Sequence, residues 1–244
     1  MRLALSWLTV LPVGPVQVDA AAGRRAIMLA PLVGLLLGAA AALALFVADQ
    51  AGMPGLVAGL LTVGMLAGLT RGMHLDGLAD TADGFGCYGP PERALAVMRD
   101  GGAGPFAVVT LIVVLGTQAS AFGALGGGER WAAVPVALVA GRAAFGLCCL
   151  PGTPAARPDG LGALVAGSQP AGVVAGWWAL LAVAGGVATL PHWWLGLFGV
   201  PVAAGAVLLL VWHARRRLGG ITGDVLGAAC ETAVTTVLVV CTLA

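Results

Sequence analysis

Three aspartates, Asp76, Asp80 and Asp83, stand close together in a chain in which only 9% of residues are charged. The segment around them, 70–86, reads Thr-Arg-Gly-Met-His-Leu-Asp-Gly-Leu-Ala-Asp-Thr-Ala-Asp-Gly-Phe-Gly. On a helix this D-x3-D-x2-D spacing puts the carboxylates within about 60° of arc and spreads them over roughly 10 Å of axis. Like charges so spaced repel by about 0.2–0.5 kcal/mol per pair even on an exposed helix, and a cation between them relieves the repulsion. Mg²⁺ suits such a cluster, because it binds through one or two carboxylates, substrate phosphate oxygens and waters. The competing reading is a solvated acidic loop beside a membrane. His74 falls on roughly the opposite face from Asp76, which makes it a poor co-ligand of the same ion. It reads either as a hydrogen-bonded structural histidine or as a group for phosphate contact or proton transfer.

A second constellation is Gly219-Gly-Ile-Thr-Gly-Asp-Val-Leu-Gly-Ala-Ala-Cys-Glu231. Gly219, Gly220 and Gly223 make a flexible turn whose N–H groups can face a phosphate, and Thr222 is placed to cap the helix that Asp224 opens. Glu231 lies on the same face as Asp224 and about 10 Å deeper, where a lone carboxylate is costly unless paired. Arg99 and Asp100 follow Met98, and Arg142 lies inside an apolar run. An arginine there either pairs with Glu231 or an aspartate, or holds a phosphate through its planar fork. Arg215, Arg216 and Arg217 fit an anionic-lipid anchor. His192 and His213, with Trp193, Trp194 and Trp212, fit membrane-interface anchors.

The elements that carry these residues are membrane helices. The chain is 59% hydrophobic with a mean hydropathy of +0.99, well above soluble domains at about 45–50% apolar. The expected fold is all-α, a polytopic transmembrane helix bundle with about seven spans, forming one domain over 1–244. The apolar runs place the spans near 27–47, 56–72, 106–125, 131–150, 173–190, 193–213 and 225–243. Gly34-Leu-Leu-Leu-Gly38 lets helices approach closely. The start of the chain, interrupted by Pro12 and Pro15, reads as a short surface or re-entrant segment rather than a signal peptide. A net charge of +1 with no lysine gives a nucleic-acid role no electrostatic support. The five cysteines carry no metal or redox spacing and read as apolar filler.

Arginine placement orients the bundle. Arg2, Arg24, Arg25, Arg71, Arg93, Arg99, Arg157, Arg215, Arg216 and Arg217 share one side, and Arg130 falls on the other. The positive-inside rule puts the first side, with the N-terminus, in the cytoplasm. Asp76, Asp80, Asp83, Glu92, Asp100, Asp159 and Asp224 come out on that side too, with Asp49 and Glu129 in outer loops. A site built from the loops after spans two and six therefore faces soluble substrates.

Segment 72–84 with its His74 and three aspartates, then Met98-Arg-Asp100, then 219–231, preceded by Leu8-Thr-Val-Leu-Pro12, closely resemble the cobalamin synthase family, adenosylcobinamide-GDP ribazoletransferase. The ordered motifs cover nearly the whole chain. The resemblance implies a multi-pass enzyme of the bacterial inner membrane, with its active site facing the cytoplasm. It would join α-ribazole, or its 5′-phosphate, to adenosylcobinamide-GDP with release of GMP, using Mg²⁺. It assigns Asp76, Asp80 and Asp83 to metal, and makes Asp224 and His74 the catalytic candidates. Arg99, Asp100, Arg142, Gly220, Thr222, Gly223 and Glu231 become candidate substrate contacts. The chain departs from the family pattern at Arg71, where a small residue is usual, in Gly101-Gly-Ala-Gly-Pro105 after Asp100, and at Gly14 and Pro15. An intramembrane prenyltransferase or a CDP-alcohol phosphotransferase also uses Asp clusters with Mg²⁺. The first wants a second aspartate-rich pair and the second an Asp-Gly-x2-Ala-Arg start; the chain has neither. A carboxylate-relay ion transporter needs mid-membrane acids in several spans, and Glu231 alone qualifies.

Overall fold

A computed structural model describes residues 1–15, 17–128 and 130–243, so the outer-loop reading of Glu129 lies outside the described residues. Each of the seven apolar runs is helical, in α2 (Ala20–Gln50), α3 (Gly55–Leu69), α6 (Pro105–Gly126), α7 (Ala133–Cys148), α9 (Ala171–Ala188), α10 (Trp193–Leu218) and α11 (Gly223–Thr242). Between them lie α1 (Arg2–Leu8), α4 (Met73–Gly86), α5 (Pro91–Val97) and α8 (Gly160–Val165). Among the described residues five helices, α2, α6, α9, α10 and α11, are long and apolar enough to cross a bilayer by themselves, or up to six spans if α3 and α4 are counted as one bent span. The expected fourth span is the 16-residue α7, shorter than the roughly 20 residues a full crossing takes.

Its burial explains why α7 is apolar on every face apart from Arg142. Nearly every residue from Ala133 to Cys148 is enclosed, with α2, α9, α10 and α11 packed about it. The outer helices turn Leu35, Leu43, Phe46, Leu60, Val109, Ile112, Val183 and Leu209 outward, the apolar exterior a bilayer solvates. Gly34 and Gly38 do what their spacing predicts: a Cβ on either would lie 2.5 Å from the Leu138 carbonyl or 2.6 Å from Pro135 Cα, so α2 and α7 touch backbone to backbone.

The chain turns by 95° between α3 and α4. Arg71 and Gly72 make that bend with consecutive positive φ angles of 57° and 67°. A left-handed arginine is unfavourable by about 1–2 kcal/mol, and its guanidinium offsets this by donating to the Ser6 and Thr9 carbonyls at the end of α1. Beyond the bend, α4 passes from the start of α11, where Gly77 meets the Asp224 backbone, to the start of α6, where Gly86 meets Phe106. It lies crosswise to α3 and against the first turns of those helices, and we read it as outside the spanning segments.

Candidate active site

Two backbone features bring the acidic segment and the glycine turn together. Gly77 faces Asp224 so closely that a Cβ would lie 2.7 Å from the Asp224 carbonyl oxygen, and one on Gly227 would lie 3.1 Å from that of His74. The turn itself is pinned from the far side. Ala156 N–H donates to the Ile221 carbonyl at 2.9 Å, and Ile221 N–H to that of Pro154 at 3.0 Å. Gly220 is needed for that contact, since a Cβ there would lie 2.4 Å from the Pro154 oxygen. Thr222 is the N-cap of α11: its hydroxyl accepts from Val225 N–H at 3.2 Å and donates to Asp224 Oδ2 at 3.1 Å.

Asp76, Asp80 and Asp224 form the resulting charge cluster. Asp80 is pushed up to about 6, first by burial, then by Asp76 and Asp224, with Arg157 acting the other way and Asp83 adding a further upward push. Like charges pushing on a half-buried carboxylate are the electrostatic signature of a site that gains from a cation. The oxygens do not close on a point. Among the described residues, the one trio of potential ligand atoms within 4.8 Å of each other is His74, Cys230 and Glu231. An open carboxylate set fits Mg²⁺, which keeps waters and shares its octahedron with phosphate oxygens. The trio lies within reach of the Arg142 charge at all three members, which disfavours a cation there.

Asp83 stands apart from the cluster in its bonding. Its carboxylate accepts from Gly104 N–H at 2.6 Å and from Ala107 N–H at 3.0 Å, so it caps the start of α6 from a neighbouring helix. His74 is 4% exposed, its ring 5.7 Å from that of Phe145, and both ring nitrogens are buried without a hydrogen-bond partner. Glu231 and Arg142 lie deeper, with Gln118, around a cavity of about 30 Å³. Gln118 donates to Glu231 at 2.7 Å and to Thr235 at 3.0 Å. The deep carboxylate thus has a partner, and neither it nor Arg142 reaches the surface cleft.

Arg157 is the residue that sequence reasoning counted only as a topological charge. Its Nη1 lies 3.6 Å from Asp224 Oδ2, its Nη2 donates to the Leu95 carbonyl at 2.9 Å, and its Nε is buried without a partner. A single arginine in an Ala/Pro loop gives no local signal of this; the contact spans 67 positions of sequence. Beside it Arg99 pairs with Asp159 at 2.8 Å, both well exposed. Arg99, Arg157, Thr222, Gly223 and Asp224 line a polar cleft of about 420 Å³, and Asp100 lies with Arg99 and Arg157 on an adjoining one of about 440 Å³. On the other side of Asp224, a mainly apolar chamber of about 660 Å³ takes Asp76 and His74 into its wall. Of the three C-terminal arginines of α10, Arg217 is tied to the Gly89 and Cys87 carbonyls, and Arg216 lies over Trp212 at 4.4 Å.

The family described as cobalamin-5-phosphate synthase matches residues 1–242. A protein of Nocardioides sp. named adenosylcobinamide-GDP ribazoletransferase is 42% identical, over 97% of this chain and 95% of its own. Proteins of the same name are 38% identical in Pseudomonas aeruginosa, over 98% of this chain and 96% of theirs, and 34% identical in Corynebacterium efficiens, over 99% and 90%. No solved structure matches.

Proposed function

From the premise that this chain belongs to the cobalamin-5-phosphate synthase family and is a transferase of cobalamin synthesis, we propose that it moves adenosylcobinamide phosphate from adenosylcobinamide-GDP to α-ribazole or its 5′-phosphate. The observation that carries the reading is the cluster of Asp76, Asp80 and Asp224 where an arginine-lined cleft meets an apolar chamber. A ribose hydroxyl that is free in both α-ribazole and its 5′-phosphate attacks the phosphorus attached to cobinamide, the bond from that phosphorus to the oxygen bridging to GMP breaks, GMP leaves with the bridging oxygen, and the hydroxyl proton is released.

In this reading Asp76, Asp80 and Asp224 are the residues that would hold Mg²⁺. The ion would neutralise charge on the leaving phosphate. Arg157, with Arg99 at the mouth, lines the polar cleft and would face the phosphates there through its guanidinium. Asp224 borders both cavities and is the group best placed to orient the hydroxyl and take its proton. His74, with both nitrogens closed off, backs the chamber wall, and Asp83 fixes α4 to α6. Gly220 and Thr222 shape the turn, while Glu231 and Arg142 serve the interior. The enzyme sits in the inner membrane with the cleft toward the cytoplasm.

The test is product analysis on purified protein in lipid. GMP should form only when adenosylcobinamide-GDP, α-ribazole and Mg²⁺ are all present, in step with the corrinoid product. GMP formation without α-ribazole would make the protein a hydrolase and overturn the reading.

A further inference from the structure

The two cavities that meet at Asp224 differ in chemistry. The smaller presents Arg99, Arg157, Asp159 and Thr222. The larger, about 660 Å³, is walled by carbon from Trp7, Leu8, Ile27, Phe145, Leu164 and Leu226, and its polar side chains are His74, Asp76 and Asp224. We propose that the larger chamber receives the flat aromatic base of the acceptor nucleoside, leaving its ribose at the Asp76 and Asp224 edge. This rests on the reaction proposed above.

Size and polarity select the occupant. A guanine base has donors and acceptors around its edge, and a carbon wall would leave them unpaired at a cost of about 1–3 kcal/mol each. A corrin ring with its side chains is several times the mass of a benzimidazole riboside and exceeds the space. A benzimidazole has almost no polar edge and presents two large π-faces. The chamber offers the side chain of Trp7, with Phe145 behind its wall, and offset or edge contacts between aromatic rings add to apolar burial. The wall is also well held. Phe145 is 2% exposed and stands against His74, which gives the histidine a positioning role: its ring supports the Phe145 face of the chamber. Asp224 also borders the polar cleft, so a sugar attached to a base in the chamber is directed toward the acids.

Leu164 belongs to α8 and Trp7 to α1, and neither touches the acidic cluster by any bond described above. Leu164→Trp fills the chamber and Trp7→Ala removes an aromatic face. Each should raise the KM for α-ribazole about tenfold or more, while the KM for adenosylcobinamide-GDP stays within about twofold. Free benzimidazole should inhibit the wild type competitively against α-ribazole and lose potency in both variants. Thermal unfolding in lipid identifies a variant that has not folded; benzimidazole inhibition of the wild type then still decides. A folded variant in which the acceptor KM is unchanged, or in which the donor KM rises instead, overturns the assignment, as does inhibition competitive against the donor. If the wild type releases no GMP, the reaction reading itself fails. Quenching of tryptophan fluorescence by benzimidazole, compared between wild type and Trp7→Phe, then judges the chamber alone: no saturable quenching in the wild type refutes it.

Discussion

Asp83 and Asp80 share a helix and a residue type and do different things. Asp83 meets two backbone N–H groups that α6 cannot satisfy itself, so Asp83→Ala should cost about 1–2 kcal/mol of stability, read as a lower unfolding temperature in lipid. Asp80 has its carboxylate among like charges, and its value of about 6 lies above the ordinary 3.8. A raised acid binds its proton more tightly folded than unfolded, so this group subtracts stability as pH climbs from about 4 to 6 and subtracts it fully above that. Mg²⁺ would relieve the penalty only where Asp80 is ionised. The expected outcome is a Mg²⁺-induced rise in unfolding temperature that is largest above pH 7 and fades as pH falls through 6. A rise independent of pH would separate Asp80 from the ion. These two roles were not separable in sequence, because D-x3-D-x2-D says where the acids point on one helix and nothing about the α6 start that arrives 21 residues later.

At the scale of elements, hydropathy was enough to find the seven apolar helices, because each carries its own signal along the chain. The crosswise lie of α4 was not legible. It depends on a bend at Arg71 and Gly72 and on a crossing at Gly77, where a missing side chain lets α4 rest on α11. The same limit hid Arg157, whose partner Asp224 comes near only after α9 and α10 have intervened. The motif residues Asp76, Asp80 and Asp224 were legible as chemistry; their meeting is a property of the crossing. Gly77→Ala tests that dependence. The added Cβ would meet backbone atoms, which cannot rotate away, and α4 must shift on α11. We expect a stability loss of about 1–3 kcal/mol and a fall in GMP release of about 100-fold, with the protein still folded by thermal unfolding and size-exclusion.

For the molecule as a whole, sidedness and chemistry coincide. Arg71 bonds to the end of α1, Arg157 to α5, and Arg217 to the loop after α4, so three of the ten arginines expected on one side tie together segments near the acids. Asp76 and Asp224 line the cavities there. A reporter inserted at Gly219 should accordingly report the cytoplasm in bacterial cells; a periplasmic signal would reverse the orientation. The central claim is that the acidic cluster cleaves a diphosphate with the help of a divalent cation. Its most direct measurement is the rate of GMP release from adenosylcobinamide-GDP and α-ribazole as Mg²⁺ is varied, for the wild type and for Asp80→Ala side by side. No release is expected without the ion in either, with a saturable rate in the wild type and a rate at least about 100-fold lower in the variant at every Mg²⁺ concentration. Full activity in folded Asp80→Ala, or Mg²⁺-independent release by the wild type, would contradict it.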